Sequence, residues 1–272
     1  MRGKKFSMGL RALAIFAVTL LVTSTWAATR EWNEKVLHSF NNNGVDGAEP
    51  YAGLIFDAAG NLYGTTGNGG VNAGGTVLEL TPAGGGNWAE TVLYSFCSQT
   101  NCTDGANPSA SLIFDAAGNL YSTTDAGGTY GDGTVFELTP TAGGGWTEQV
   151  LHSFNNNGTD GAYPYAGLIF DATGNLYGTT LNGGTYQCVD EGCGTVFELT
   201  PTAGGGWTEQ VLHNFGNGTD GFWPYAGLIL DAAGNLYGTT QLGGTGGNCG
   251  GYGCGTVFEL TPVYPCVVCS VR

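Results

Sequence analysis

The chain has 272 residues, with 7 Lys and Arg against 22 Asp and Glu, a formal charge of −15. A polyanion of this kind repels phosphate backbones and anionic lipid surfaces, which excludes a nucleic-acid partner. Glycine supplies 50 residues and charged residues only 11 %, yet 12 % aromatics and regular apolar runs argue for a packed core rather than disorder.

In chain order, residues 1–27 read as a secretory signal: a basic start, an apolar run over Ala12–Val22, and Thr25-Trp26-Ala27 with small residues where a peptidase cleaves. The run is too short to span a bilayer, so no transmembrane segment is expected after cleavage. Residues 28–265 then read as one domain, and residues 266–272 as a short Cys-containing tail. The expected location is outside the cytoplasm: extracellular, cell-surface or periplasmic.

Self-comparison dominates the rest of the sequence. The segment `LIFDAAGNLYGTT` starts at Leu54 and returns at Leu112, Leu168 and Leu228, in steps of 58, 56 and 60 residues. Each copy is followed by `GTVLELTP` or `GTVFELTP`, from Gly75, Gly133, Gly194 and Gly255, and preceded by a `W-x-E-x-V-L` segment, from Trp32, Trp88, Trp146 and Trp207. Length, residue type and bounding Gly, Pro, Asn and Asp make each run a strand. Strand A is `YAGLIFD`, B is `NLYGTT`, C is `GTVFELTP` and D is `WTEQVLHSF`. The `DAAGN` between A and B is a tight turn whose Gly60, Gly118, Gly174 and Gly234 adopt positive φ. Leu168-Ile169-Phe170 does not alternate with polar residues, which implies burial on both faces.

Repeated four-stranded antiparallel units with both faces covered describe an all-β fold, a β-propeller of four blades. The phase of the repeat, an orphan D at Trp32–Phe40 and no D after the fourth C strand, predicts that the first strand pairs with Gly255–Thr261 and closes the ring, an incomplete ring finished by dimerisation being the alternative. A β-helix is the alternative, but its turns are much shorter than this period and the acidic nonapeptide is absent.

The runs `GNLYGTT`, `GTVFELTP` and `VLHSF…DG…PYAGL` resemble the GloVer tandem repeats of exported bacterial proteins over residues 31–262. The resemblance implies a propeller-like repeat protein and no established activity. Ser122, Tyr94 and `PSASL` are local departures from the pattern.

The eight cysteines fall into four pairs: Cys97 with Cys102, Cys188 with Cys193, Cys249 with Cys254, and Cys266 with Cys269. In an exported chain these read as local disulfides, the last of them a terminal staple. Zinc is the alternative and requires two pairs brought together. The first three pairs fall in D–A or B–C loops, which emerge on one face of a propeller and vary in length. Function is expected there. Trp223, Tyr186, Tyr252 and Tyr130 on that face are candidate stacking surfaces for an extracellular glycan or protein. Asp46, Asp104, Asp160 and Asp220 in the D–A loops are candidate calcium ligands, although no cofactor is required. The `PY` tyrosines Tyr51, Tyr165 and Tyr225 read as starts of strand A. His38, His152 and His213 recur at one place in strand D and do not converge. Asp57, Asp115, Asp171 and Asp231 either cap their own turns or line an axial opening. Only the second option would support a glycoside hydrolase or lyase, which needs carboxylates in different environments. Glu79, Glu137, Glu198 and Glu259 repeat too regularly for one active site, and Asp190 and Glu191 form a non-repeated acidic pair. The favoured reading is a non-catalytic recognition or surface-interaction protein, with a propeller enzyme or a structural envelope protein as alternatives.

Overall fold

The computed structural model describes residues 31–188, 191–247 and 249–263. The signal-like leader and Asp190 lie outside the described residues. So do Cys266 and Cys269, and the fourth disulfide expected between Cys266 and Cys269 is therefore not among the bonds described below. The chain divides between Val36 and Leu37; residues 31–36 carry no strand, and the account below concerns Leu37 onward.

Apart from one 3₁₀ turn at Thr100–Cys102, the described regular structure is all β. Repeat 1 has A (Ile55–Phe56), B (Leu62–Thr66), C (Thr76–Gly84) and D (Asn87–Ser95), hydrogen-bonded in that order. Repeats 2 and 3 do the same with Ile113–Phe114, Leu120–Thr124, Thr134–Pro140 and Trp146–Ser153, then Ile169–Phe170, Leu176–Thr180, Thr195–Pro201 and Trp207–Asn214. Repeat 4 has Ile229–Leu230, Leu236–Thr240 and Thr256–Leu260. All pairings between these strands are antiparallel.

Strand A has two ladder residues where the sequence suggested seven. The segment before it is occupied sideways. Thr123 Oγ1 donates to the carbonyls of Pro164 and Ala166, and Thr179 Oγ1 to those of Pro224 and Ala226. Strand B of one repeat thus grips the A segment of the next, and proline has no N–H to offer a ladder in return. The turns after strand A form as expected, with Gly60 at φ +89°.

Successive repeats meet in apolar seams. Ile55, Tyr63, Val77 and Leu93 of repeat 1 cluster with Leu112, Phe114, Leu120, Phe136, Leu138 and Trp146 of repeat 2. The corresponding residues form the next two seams. A register shift in strand D between Val150 and His152 lets Leu151 reach the core while His152 faces the loop. Burial on both faces, read from the unbroken apolar A segment of repeat 3, follows for repeats 2 and 3 from each lying between two others.

The expected ladder between Trp32–Phe40 and Gly255–Thr261 is not formed among the described residues. Residues 31–42 carry no strand, Thr256–Leu260 pairs with strand B of its own repeat alone, and repeat 4 keeps three strands. Leu37 and Phe40 pack instead on Leu62, Leu78, Leu80 and Trp88 of repeat 1. Apolar burial is non-directional and holds these two side chains without the aligned backbone a ladder demands.

Two-residue ribbons on the loop side were not foreseen. Gly47–Ala48 pairs with Asn68–Gly69, Gly161–Ala162 with Asn182–Gly183, and Gly221–Phe222 with Leu242–Gly243. Repeat 2 keeps one bridge, Ala106 to Ala126. Each ribbon pins a D–A loop to a B–C loop.

Candidate binding face

The D–A and B–C loops carry the three described cysteine pairs, and all three are closed as disulfides: Cys97–Cys102, Cys188–Cys193 and Cys249–Cys254. Rings this small stiffen a loop more than they constrain the unfolded chain.

Each loop aspartate is bonded to a side chain a few residues ahead of it in the chain. His38 Nε2 lies 3.3 Å from Asp46, His152 Nε2 3.1 Å from Asp160 and His213 Nε2 2.8 Å from Asp220. In repeat 1, Tyr94 replaces the histidine, and its hydroxyl donates to Asp104 at 2.8 Å. Strand D of the following repeat brings up a glutamate: His38, Asp46 and Glu90 have ligand atoms within 4.8 Å of one another, as do His152, Asp160 and Glu209. An imidazole with two carboxylates suits a transition ion, whereas calcium takes six to eight oxygens. Burial first, and then Asp160, pushes the Glu209 carboxyl up to about 7, with His152 opposing. Glu148 beside Asp104 rises to about 8 for the same two reasons, burial before charge.

The aspartates that end strand A are turn caps. Asp57 Oδ1 accepts the backbone N–H groups of Ala59 and Asn61, while Oδ2 accepts the Asn61 amide and the Tyr63 hydroxyl. Desolvation raises the Asp57 carboxyl, but these donors outweigh it and leave it below its ordinary value. The same cap recurs at Asp115, Asp171 and Asp231. The tyrosine hydroxyl also reaches the strand C glutamate, as Tyr63 does Glu79 at 2.8 Å. Four equivalent environments separate no acid from a base.

Trp223 is half-buried in the third seam, with its ring 5.4 Å from Phe222 and its Nε1 buried without a partner. It is a packing residue there rather than an open platform. Tyr130, Tyr186 and Tyr252 are exposed. Tyr252 leans edge-on toward Phe222, and Tyr130 lines a groove of about 620 Å³ with His152, Asn155, Asn157 and Asp160.

A different set of loop residues varies inside a fixed frame. The residue before each `PY`-type proline, namely Glu49, Asn107, Tyr163 or Trp223, has φ between +55° and +61°. For a side chain with a Cβ that is a strained conformation, and four equivalent instances mark a position the fold enforces. Its carbonyl accepts the N–H of the residue after strand B: Gly67, Asp125, Leu181 or Gln241. Asp125 is the acid of that set. Burial is the largest influence on its carboxyl and lifts it to about 6, while hydrogen bonds from Ser109, Asn107 and Tyr165 oppose the rise. Tyr165 next to it lies 5.8 Å from Tyr225, rings tilted by 38°. Both rings are exposed, as is Tyr51, so these `PY` tyrosines are surface residues as well as strand leaders. Sequence reasoning missed Asp125. The available signal was variation after `TT` across four otherwise constant repeats.

Tandem four-strand meanders joined by repeated seams, with variable loops on one side, define an all-β repeat protein with propeller-like units. The chain belongs to the Gloeobacter/Verrucomicrobia repeat family, whose model matches residues 24–245. No curated protein matches the chain. A solved structure, the crystal structure of a GH43_12 retrieved from capybara gut metagenome, is similar with a TM-score of 0.44 and 14 % identity. The similarity covers 81 % of this chain and 41 % of that one, so the chain spans about two fifths of that neighbour. Among the described residues no helix is long and apolar enough to cross a membrane.

Proposed function

We propose that the protein is an exported, non-catalytic recognition module of four propeller blades that binds extracellular carbohydrate through its D–A and B–C loop face. The observation that carries this reading is the Tyr165–Tyr225 pair beside Asp125: two exposed rings, tilted by 38°, next to a carboxyl poised to titrate near pH 6. Exposed aromatic faces stack on the C–H face of a pyranose, and a carboxylate with neighbouring hydroxyl and amide groups accepts sugar hydroxyls. Ser109 and Asn107 supply those neighbours. Tyr130, Tyr186 and Tyr252 extend the same loop surface.

One physical point supports binding over hydrolysis. Glycoside cleavage uses a pair of carboxyl groups in different environments across the scissile bond, and the candidate pairs here, such as Asp57 with Glu79, share one tyrosine and repeat four times. Disulfides in the loops support export to an oxidising compartment.

A glycan array probed with the purified chain tests the reading, followed by titration of the strongest hit against Tyr165→Ala, Tyr225→Ala and Asp125→Asn. Each variant is expected to weaken binding at least about tenfold, as loss of a stacking ring or a charge-assisted hydrogen bond does. Equal binding by all three, or no glycan bound by the folded protein, would refute it.

A further inference from the structure

The two ends of the repeat array expose the two halves of a seam that closes three times inside the chain. In every internal seam the forward face of one repeat offers an A-strand isoleucine, a B-strand tyrosine and a C-strand valine. Val77, Val135 and Val196 are all fully buried there. The rear face of the next repeat answers with a leucine ahead of strand A, and Leu112, Leu168 and Leu228 are at most 3 % exposed. The forward face of repeat 4 has no such cover: Val257 is 83 % and Ile229 70 % exposed. On the rear face of repeat 1, Leu54 is 54 % and Phe56 66 % exposed.

The uncovered forward face keeps the shape of a seat. Ala226, Gly227, Ile229, Tyr237, Thr239 and Val257 line a cavity of about 230 Å³, at the position where the first seam holds Leu112 among Ile55, Tyr63 and Val77. Thr239 is exposed, whereas its equivalents Thr65, Thr123 and Thr179 donate to carbonyls of the following A segment. The C strand Thr256–Leu260 also keeps a free edge, since repeat 4 has no D strand among the described residues. Leu37 and Phe40 already rest on the rear of repeat 1, as Leu93 and Phe96 of a D strand rest on the rear of repeat 2.

We infer that the forward face of repeat 4 docks the rear face of repeat 1 from a second copy of this chain, head to tail. Leu54 of the second copy fills the seat under Thr239 and Val257. Its Leu37–Phe40 segment then lies beside the free edge of Thr256–Leu260 and supplies the outer strand. The occupant is the second copy because its rear face carries the mates that this face accepts three times within one chain, in the same order. A heterologous contact of this type forms a ring if the rotation closes and a filament if it does not, so assembly is read as mass above the monomer.

Light scattering across roughly 1–100 µM is the test, on the wild-type chain and on Leu54→Asp and Val257→Asp. Both positions are exposed in the single copy, so each variant is expected to retain the wild-type circular dichroism spectrum. The wild type is expected to exceed monomer mass within this range, and each variant to remain monomeric. An equimolar mixture of the two variants, which retains one intact forward face and one intact rear face, is expected to recover a dimer. A wild type that is monomeric throughout, whether its ends meet each other or are covered by other segments of the same chain, would overturn the inference. So would a wild-type assembly that both substitutions leave at unchanged mass.

Discussion

Glu148 offers a quantitative test of how one seam is built. Strand D of repeat 2 places this glutamate against Asp104 of the preceding loop, and its Oε1 is buried without a hydrogen-bond partner. Asp104 is already occupied by Tyr94, by the N–H and hydroxyl of Ser98 and by the N–H of Gln99. It has no donor to share with Glu148. Burial first and the Asp104 charge second raise the carboxyl from 4.5 to about 8. A raised folded pKa means that the folded protein holds this proton where the unfolded chain releases it. Its contribution is complete below about pH 4.5 and is lost progressively up to about pH 8. At 1.36 kcal/mol per unit the ceiling is on the order of 5 kcal/mol, and partial exposure of the side chain brings the expectation to roughly 2 kcal/mol. Glu148→Gln keeps the shape and removes the titration. Its stability relative to wild type is therefore expected to improve by roughly 2 kcal/mol between pH 5 and pH 8.5, measured by urea unfolding at both values. A difference constant within about 0.5 kcal/mol would show that the carboxyl is not held in the seam.

The other predictions probe the seam, the ribbon and the loop aspartates. Phe154 is fully buried, 5.1 Å from Phe197, so Phe154→Ala is expected to cost about 3–5 kcal/mol in urea unfolding. Gly161→Ala drives a methyl group into Thr180, under the hydroxyl pair it forms with Thr195. A loss of about 1–3 kcal/mol is expected. Gly158→Ala has open space around it and a φ of +88°, and should lose only the about 1 kcal/mol of a left-handed residue. Because Asp46, Asp160 and Asp220 are closed on imidazoles, excess EDTA is expected to change the melting temperature by less than about 2 °C. A fall equivalent to about 1 kcal/mol, some 2–8 °C depending on the size of the unfolding unit, would place a structural cation among them.

The fold was more legible in the sequence than the site, for a physical reason that particular residues display. Strands B, C and D repeat because each side chain in them answers a fixed partner: Val135 a seam, Tyr121 a pair of carboxylates, Thr124 a second threonine. Periodicity therefore reports packing and identifies the meander. It says less about strand A, whose backbone partners are threonine hydroxyls of another repeat and leave no mark in an apolar run. The closing ladder it predicts for Trp32–Phe40 is not among the described pairings, where Leu37 and Phe40 pack on repeat 1 without one. Function requires the opposite of repetition. A ligand breaks the equivalence of the blades, so its contacts belong where four copies disagree while their backbone agrees. The pre-proline residues meet that condition: Glu49, Asn107, Tyr163 and Trp223 share one strained φ and one carbonyl partner, yet carry four different side chains. The residues they clamp differ as well, and Asp125 is the single carboxylate among Gly67, Leu181 and Gln241. Trp223 drew attention as an aromatic that broke the pattern, but it is absorbed by a seam; Asp125 broke it beside two exposed rings. The discriminating quantity is thus variation at a backbone position held constant by strain and hydrogen bonding, combined with exposure of the neighbours. Rarity of the residue type alone does not separate Asp125 from Trp223.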